Sequence, residues 1–343
     1  MRALRRGTAF ALGSAAGYLA DALFADPRRG HPVALFGSAA HRLERALWRD
    51  HRGVGALHTA LCVGGVAAGA VLADRALGRR RAGLAAAATF TVLGGTSLTR
   101  EARTIGGHLR AGDLTAARQR LPHLCGRDPS GLDEAQLARA VVESVAENTA
   151  DAVVNALVWG ALAGTPGLLA FRAVNTLDAM VGHRSPRYLR FGWAAARLDD
   201  VAGWPGARLT ALLTVAAAPE PRTAWKVWRR DGSAHPSPNA GQAESAFAGA
   251  LGVRLGGTLQ YGERVEHRPV LGAELRAVTV DDVERACRLS RRVGLLALGV
   301  TGLVGAFRGA SHSGRSGRRK GVFRLAQFPA PLKVADVRRK GAA

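Results

Sequence analysis

Apolar residues along the chain gather in six stretches, at 8–24, 54–73, 82–98, 152–171, 207–218 and 293–307. Only 54–73 approaches the roughly 20 residues that cross a bilayer core. The others are shorter or carry polar interruptions, Asp21 among them. The pattern predicts an all-α fold: a polytopic or partly inserted membrane helical bundle, with some segments buried against protein rather than crossing. A soluble, Ala-rich bundle is the competing reading. Residues 99–149 are amphipathic at helical spacing, with turn signals at Gly112-Asp113 and at Arg127-Asp128-Pro129-Ser130-Gly131. Asp133 is placed to cap the helix that follows, because its carboxylate can accept a free backbone N–H. Residues 219–280 are polar, mixed and rich in Gly and Pro, which predicts an extramembrane lobe within a catalytic domain spanning 1–307. Residues 308–343 read as a basic, mostly disordered tail.

Composition sharpens this picture in three ways. Ala and Gly supply much of the 48% hydrophobic content, and aromatics only 6%, which suits close helix packing. The net charge of +22 is carried almost wholly by Arg; the only lysines are Lys226, Lys320, Lys333 and Lys340. That excess favours anionic partners such as nucleotide phosphates and acidic lipids. Specific nucleic-acid binding is not expected, since neither zinc-finger spacing nor an aromatic RNA-binding signature is present. Cys62, Cys125 and Cys287 are far apart and odd in number, which fits buried thiols in a protein facing a reducing cytosol. The basic start, Met1 to Arg6, before an apolar run resembles a signal peptide, but Asp21 breaks the run. A retained membrane segment is the expectation. Arg is dense in several loops, so orientation cannot be read from charge asymmetry.

The candidate chemistry lies between Glu143 and Asp178. A helix over 133–163 carries Arg139, Glu143, Glu147 and Asp151 at a spacing of four, hence along one face. A solvated acidic face is the ordinary explanation, yet this one runs straight into the apolar segment 152–163. Carboxylates nearing an apolar environment need a counter-charge, and Arg139 or a hard cation such as Mg²⁺ would serve. Gly164-Thr165-Pro166-Gly167 then predicts a turn. The next helix carries Arg172, Asn175 and Asp178 on a common face. Asp151 and Asp178 each lie roughly 20 Å from the turn at about 1.5 Å per residue. An antiparallel hairpin therefore brings Glu147, Asp151 and Asp178 to similar height, dipping into the membrane with a polar mouth at its surface. Asp199-Asp200 beside Arg197 is a further acidic pair suited to a metal or to helix capping. His235-Pro236-Ser237-Pro238-Asn239 is a stiff polar loop suited to ligand contact. Asp21 and His31-Pro32 form another constrained polar cluster. No conventional phosphate loop, dinucleotide fingerprint, HExxH or GxSxG motif is present, so any ATP site is unconventional.

These residues resemble the adenosylcobinamide-phosphate synthases of cobalamin biosynthesis, the CobD/CbiB family, over roughly 17–272. The matching stretches are Gly17-Tyr18-Leu19-Ala20-Asp21, Asp26-Pro27, His31-Pro32, Arg127-Asp128, and Glu143-Ser144-Val145-Ala146-Glu147-Asn148 with Asp151. Asn175-Thr176-Leu177-Asp178-Ala179-Met180-Val181-Gly182, Phe191-Gly192-Trp193, Ala196-Arg197-Leu198-Asp199-Asp200 and His235-Pro236-Ser237-Pro238-Asn239-Ala240-Gly241 continue the match, ending at Tyr261-Gly262. The chain departs from the family at Ala152, Ala156, His183, Gln242-Ala243 and Glu263. None of these removes a carboxylate of the expected site. Asn155 extends the four-residue stripe but is not a family position, and it is left out.

The resemblance implies an integral membrane ligase of the cell membrane with its site facing the cytoplasm. It implies that ATP and Mg²⁺ drive amide formation between the free propionate of adenosylcobyric acid and (R)-1-amino-2-propanol or its O-phosphate. Glu143, Glu147, Asp151 and Asp178 are the expected catalytic residues, with Glu143 a candidate proton acceptor. Glu147, Asp151, Asp178, Asp199 and Asp200 are the expected metal ligands. Arg127, Asp128, Asn148, Arg172, Asn175, Arg197, His235, Ser237, Asn239, Asp21 and His31 are expected to bind substrate or phosphate. A complex with other late cobalamin enzymes is a further expectation. A membrane Mg-dependent phosphotransferase or prenyltransferase, and a non-enzymatic membrane subunit of corrinoid assembly, are the alternatives.

Overall fold

The computed structural model describes residues 2–25, 30–261 and 264–318. Twelve α-helices are formed among these: α1 Arg2–Phe24, α2 Pro32–Leu47, α3 Arg52–Leu77, α4 Arg81–Val92, α5 Gly95–Arg110, α6 Leu114–Arg120, α7 Glu134–Thr149, α8 Asn155–Val181, α9 Trp193–Ala217, α10 Pro221–Asp231, α11 Ala240–Leu251 and α12 Asp281–Arg318. One antiparallel hairpin, β1 Leu255–Tyr261 with β2 Arg264–Leu271, is inserted between α11 and α12. The bundle expected from the hydrophobic pattern is present.

Among the described residues four helical stretches are long and apolar enough to cross a membrane: Arg52–Leu77, Arg81–Arg110, Glu134–Val181 and Asp281–Phe307. The apolar run 54–73 falls in the first of them. Leu57, Leu61 and Leu72 on α3, and Leu295, Leu296 and Leu303 on α12, stand exposed as lipid-facing side chains do. The chain is a helical membrane protein. α1 packs between α4 and α12. Its contact with α4 is backbone-close: a Cβ at Gly13 would lie 2.4 Å from the Ala82 carbonyl oxygen, and one at Gly17 2.4 Å from that of Ala86. Small residues permit this approach where lipid gives little hydrophobic drive for association.

The main core gathers around α7, α8, α11 and α12, with Leu137, Val141, Val145, Leu157, Leu168, Phe247 and Val293 all buried. Asp133 caps α7 as expected, in a reciprocal capping box with Gln136. The helix expected over 133–163 is present with a change of pitch. Ala150–Val154 is a π-helical turn joining α7 to α8. Within α8, Gly164 has φ 69° and ψ −159°, and there the helix folds back on itself. Such a φ is open to glycine at little cost. The Glu134–Val181 stretch is therefore a hairpin rather than one straight span.

Within the polar stretch 219–280 every residue of α11 is buried, because its Ala/Gly-rich surface lets other helices close around it. α12 continues to Arg318, and the rest of the expected tail, 319–343, lies outside the described residues. One expectation is corrected. Among the described residues 54–73 is not the sole stretch of spanning length, because helices continue through the polar interruptions that shorten the apolar runs.

Candidate active site

The two arms of the hairpin meet as the residue count requires. Asp151 lies within electrostatic reach of Glu147, Asp178 and Asp199, and of Arg172. The π turn explains how Asp151 stays with the others. Four residues of α-helix advance a side chain about 40° past a full turn, so a stripe of fours drifts. A wider turn at Ala150–Val154 opposes that drift. Asn155, at the start of α8, is fully buried and donates from Nδ2 to Asp151 Oδ1 at 3.5 Å.

Glu147 is exposed to water by surface area, yet protein surrounds it closely. That combination describes a side chain in a pit. α9 brings Asp199 and Asp200 to the same place. Asn175 Nδ2 donates to Asp199 Oδ1 at 3.4 Å, and Asn175 Oδ1 accepts from Arg172 Nη1 at 3.4 Å. Burial, followed by the charge of Asp178, pushes the Asp199 carboxyl up to about 7.

Glu143 has a different setting. It is buried and ion-paired with buried Arg127. Its Oε1 accepts the Gly256 N–H at 2.7 Å and lies 3.7 Å from Arg139 Nε. Arg139 in turn donates to the Thr258 carbonyl at 3.0 Å. Glu143 thus ties the loop before α7 and the β-hairpin to the helix.

The hairpin delivers a residue that sequence reasoning missed. Arg268 on β2 places Nη1 3.1 Å from His235 Nε2 and lies within electrostatic reach of Glu147. Glu244 on α11 is a second. It is buried, 4.0 Å from His235 Nε2, and near Glu143 and Glu147. Burial, with the charges of Glu143 and Glu147, raises its carboxyl well above the ordinary range. His235 therefore does reach the centre.

The other expected residues make contacts within the fold, two of them at the edge of the centre through Asp200. Asp128 makes a local turn, accepting from the Ser130 N–H and hydroxyl; these bonds hold its carboxyl below the usual range. Asn148 donates to the Ser144 carbonyl at 2.9 Å, one turn back. Ser237 Oγ accepts from the Asn239 and Ala240 N–H groups and so starts α11. Asn239 bridges α9, donating to the Asp200 carbonyl at 2.8 Å and accepting from Arg208 at 3.1 Å. Arg197 is exposed and reaches Asp200 at 3.5 Å. His31 caps α2, whose first turn shares a cavity of about 170 Å³ with Arg172 and Thr176. Asp21 is buried, but it accepts from the Thr96 N–H and hydroxyl at 3.2 and 2.9 Å. It lines a separate cavity of about 290 Å³ with Tyr18 and Arg291.

The profile of the CobD/Cbib protein family matches residues 14–290, a span that contains every residue of this centre. The chain belongs to the CobD/CbiB family. It is 54% identical over 288 residues to the cobalamin biosynthesis protein CobD of Mycobacterium tuberculosis, covering 82% of this chain and 92% of that one. The CobD proteins of Rhizobium meliloti and Geobacter metallireducens are 41% and 43% identical, over 78% and 75% of this chain and 88% and 85% of theirs. No solved structure matches. Membership places the chain in cobalamin biosynthesis.

Family membership implies no particular metal geometry, and the side chains supply a test. Among the described residues no three His, Cys, Asp or Glu side chains are arranged to hold an ion by themselves. The donors are nonetheless hard carboxylate oxygens crowded by like charge. That suits Mg²⁺, which binds through one or two carboxylates, keeps several waters, and takes further oxygens from phosphates.

Proposed function

We propose that this chain is an ATP- and Mg²⁺-dependent amide ligase. It joins the free propionate carboxyl of adenosylcobyric acid to (R)-1-amino-2-propanol or its O-phosphate. One observation carries the reading. In a membrane protein of cobalamin biosynthesis, four carboxylates from three helical segments, Glu147, Asp151, Asp178 and Asp199, converge beside Arg172 and Arg268. Excess acid held that way is stabilised by a cation and its phosphates.

A carboxylate needs activation before an amine can displace its oxygen. In the proposed sequence a propionate oxygen attacks the γ-phosphorus of ATP, and ADP leaves with the electrons of the broken P–O bond. The amine nitrogen then attacks the acyl carbon, and phosphate departs as the C–O bond breaks. Nitrogen loses two protons from its ammonium form. One passes to a carboxylate and on to water; the other leaves with phosphate. Bound Mg²⁺ neutralises the nucleotide phosphates in this chemistry. One or two carboxylates drawn from Asp151, Asp178, Asp199 and Asp200 would hold it, with water and phosphate oxygens as its other ligands. Arg172 and Arg268 bind phosphate oxygens, and His235 orients Arg268. Glu143 is engaged by Arg127 and the Gly256 N–H, so we assign it to positioning. The proton-accepting role falls to water-accessible Glu147.

The test is direct. Purified protein receives cobyric acid, the amine or its phosphate, and Mg-ATP, and mass spectrometry follows the corrinoid. Amide formation coupled to ADP release is expected. Turnover of a lipid-linked substrate without ATP, or corrinoid binding without ATP consumption, would overturn the reading.

A further inference from the structure

Among the described residues one face of α10 stands uncovered. Ala224, Val227 and Trp228 turn into the protein. Arg222, Trp225, Lys226 and Arg229 stand exposed at helical spacings of three and four, along a common face. Trp225 meets Trp228 edge-on, with ring centroids 5.2 Å apart, and the Arg229 guanidinium lies 5.8 Å over its ring. Among the described residues no acidic side chain pairs with Arg222, Lys226 or Arg229. Arg230, the next residue, is tied to Asp231 and Glu274 at 2.7 and 2.8 Å. A face with three uncompensated cations around an exposed indole attracts anions.

The preceding helix says which anions. α9 exposes Val201, Trp204 and Leu212, an apolar stripe in a membrane protein. The chain then turns at Pro219-Glu220-Pro221 into α10. An apolar stripe giving way to a cationic, Trp-bearing face matches passage from hydrocarbon to the headgroup layer. The Arg–Trp stack of α10 is repeated by Arg208 over Trp204 at 4.5 Å on α9 itself. Long cations spread over an exposed face fit a sheet of phosphates better than one acidic peptide.

We propose that Arg222, Trp225, Lys226 and Arg229 seat α10 on the headgroups of anionic phospholipid. The seating has an internal consequence. Asp231, at the end of α10, accepts the Gly272 N–H at 2.7 Å. Gly272 follows β2, the strand that carries Arg268. Lipid held by α10 thus steadies the segment that delivers Arg268.

The full-length protein in nanodiscs tests this, with phosphatidylcholine alone or with added phosphatidylglycerol. Amide hydrogen exchange of α10 is the readout. Exchange is expected to slow with phosphatidylglycerol by up to about a hundredfold, since roughly fivefold attraction for each of the three surface cations multiplies. High salt should erase the difference. So should the combined Arg222→Gln, Lys226→Gln and Arg229→Gln variant, with protection of α11 unchanged as the folding control. If the variant loses α11 protection, the salt comparison on the wild-type protein decides alone. Equal exchange in both discs, a lipid effect that survives high salt, or slowing only on addition of polyglutamate (an acidic-protein mimic) overturns the proposal.

Discussion

The chain buries carboxylates in two ways. Glu44 and Asp282 are fully buried, and each is surrounded by donors. Glu44 receives hydrogen bonds from Arg187 at 2.8 Å and Tyr188 at 3.1 Å, with His41 2.9 Å away. Burial pushes the Glu44 carboxyl up, but these bonds outweigh it and hold the carboxyl below its ordinary range. Asp282 takes bonds from Arg276, Arg285 and both the N–H and hydroxyl of Thr279. At the acid centre the balance is reversed. Asp151, Asp178 and Asp199 face other carboxylates more than they face donors, while Glu147 meets Arg268 as well as other acids. On the proposed reading, the first pair is compensated within the fold and the acid centre by what it would bind.

The comparison is broken most directly at the centre. Asp178→Asn or Glu147→Gln should lower ligation by about three orders of magnitude, as expected when several kcal/mol of charge stabilisation is lost. Melting temperature should hold or rise slightly, because like-charge crowding falls. Substantial amide formation in both variants would remove the centre from the chemistry. Asp282→Asn should show the opposite behaviour. It strips two guanidinium partners and should cost about 2–3 kcal/mol in unfolding free energy, with activity of the folded fraction little changed. Glu143→Gln tests the residue between the two classes. Loss of its pairing with Arg127 should cost about 1–2 kcal/mol. Exchange of the Gly256 amide should quicken and activity fall about tenfold. Loss of activity as complete as in Asp178→Asn would return Glu143 to the reacting groups.

How far the centre was legible depended on which forces were local. The hairpin was readable because a Gly-Thr-Pro-Gly turn fixes the fold-back and helical rise fixes the height; Asp151 and Asp178 come within electrostatic reach of each other. The fold class followed from apolar periodicity for the same reason. Glu244 and Arg268 carried no such signal. α11 is apolar on all sides, so no face marks Glu244 as inward. Arg268 depends on a strand register set by its partner β1. Asp21 is an acid inside an apolar run, which calls for a partner, but Thr96 lies 75 positions away and only packing chose it. Asn155 is not a family position, yet it is the buried neighbour of Asp151 to which the stripe of fours points.

The smallest expected effect sharpens the compensated class. Asp231 is engaged through both oxygens, by Arg230 at 2.7 and 2.8 Å and by the Gly272 N–H at 2.7 Å. The Arg230 bonds hold its carboxyl below the ordinary range, with the Gly272 N–H adding to them against a burial effect that raises it. A carboxyl lowered by folding contributes stability above its unfolded pKa, near about 4. That contribution is lost as pH falls through the lower folded value. Arg230 is half exposed, so water screens the pair and less than about 1 kcal/mol is expected. The stability gap between wild type and Asp231→Asn should therefore be level from neutral pH down to about 4 and close below it. Urea unfolding across that range reads the gap. A gap that widens on acidification would mean that burial, not the Arg230 pairing, governs this carboxyl, and Asp231 would then belong with the uncompensated acids.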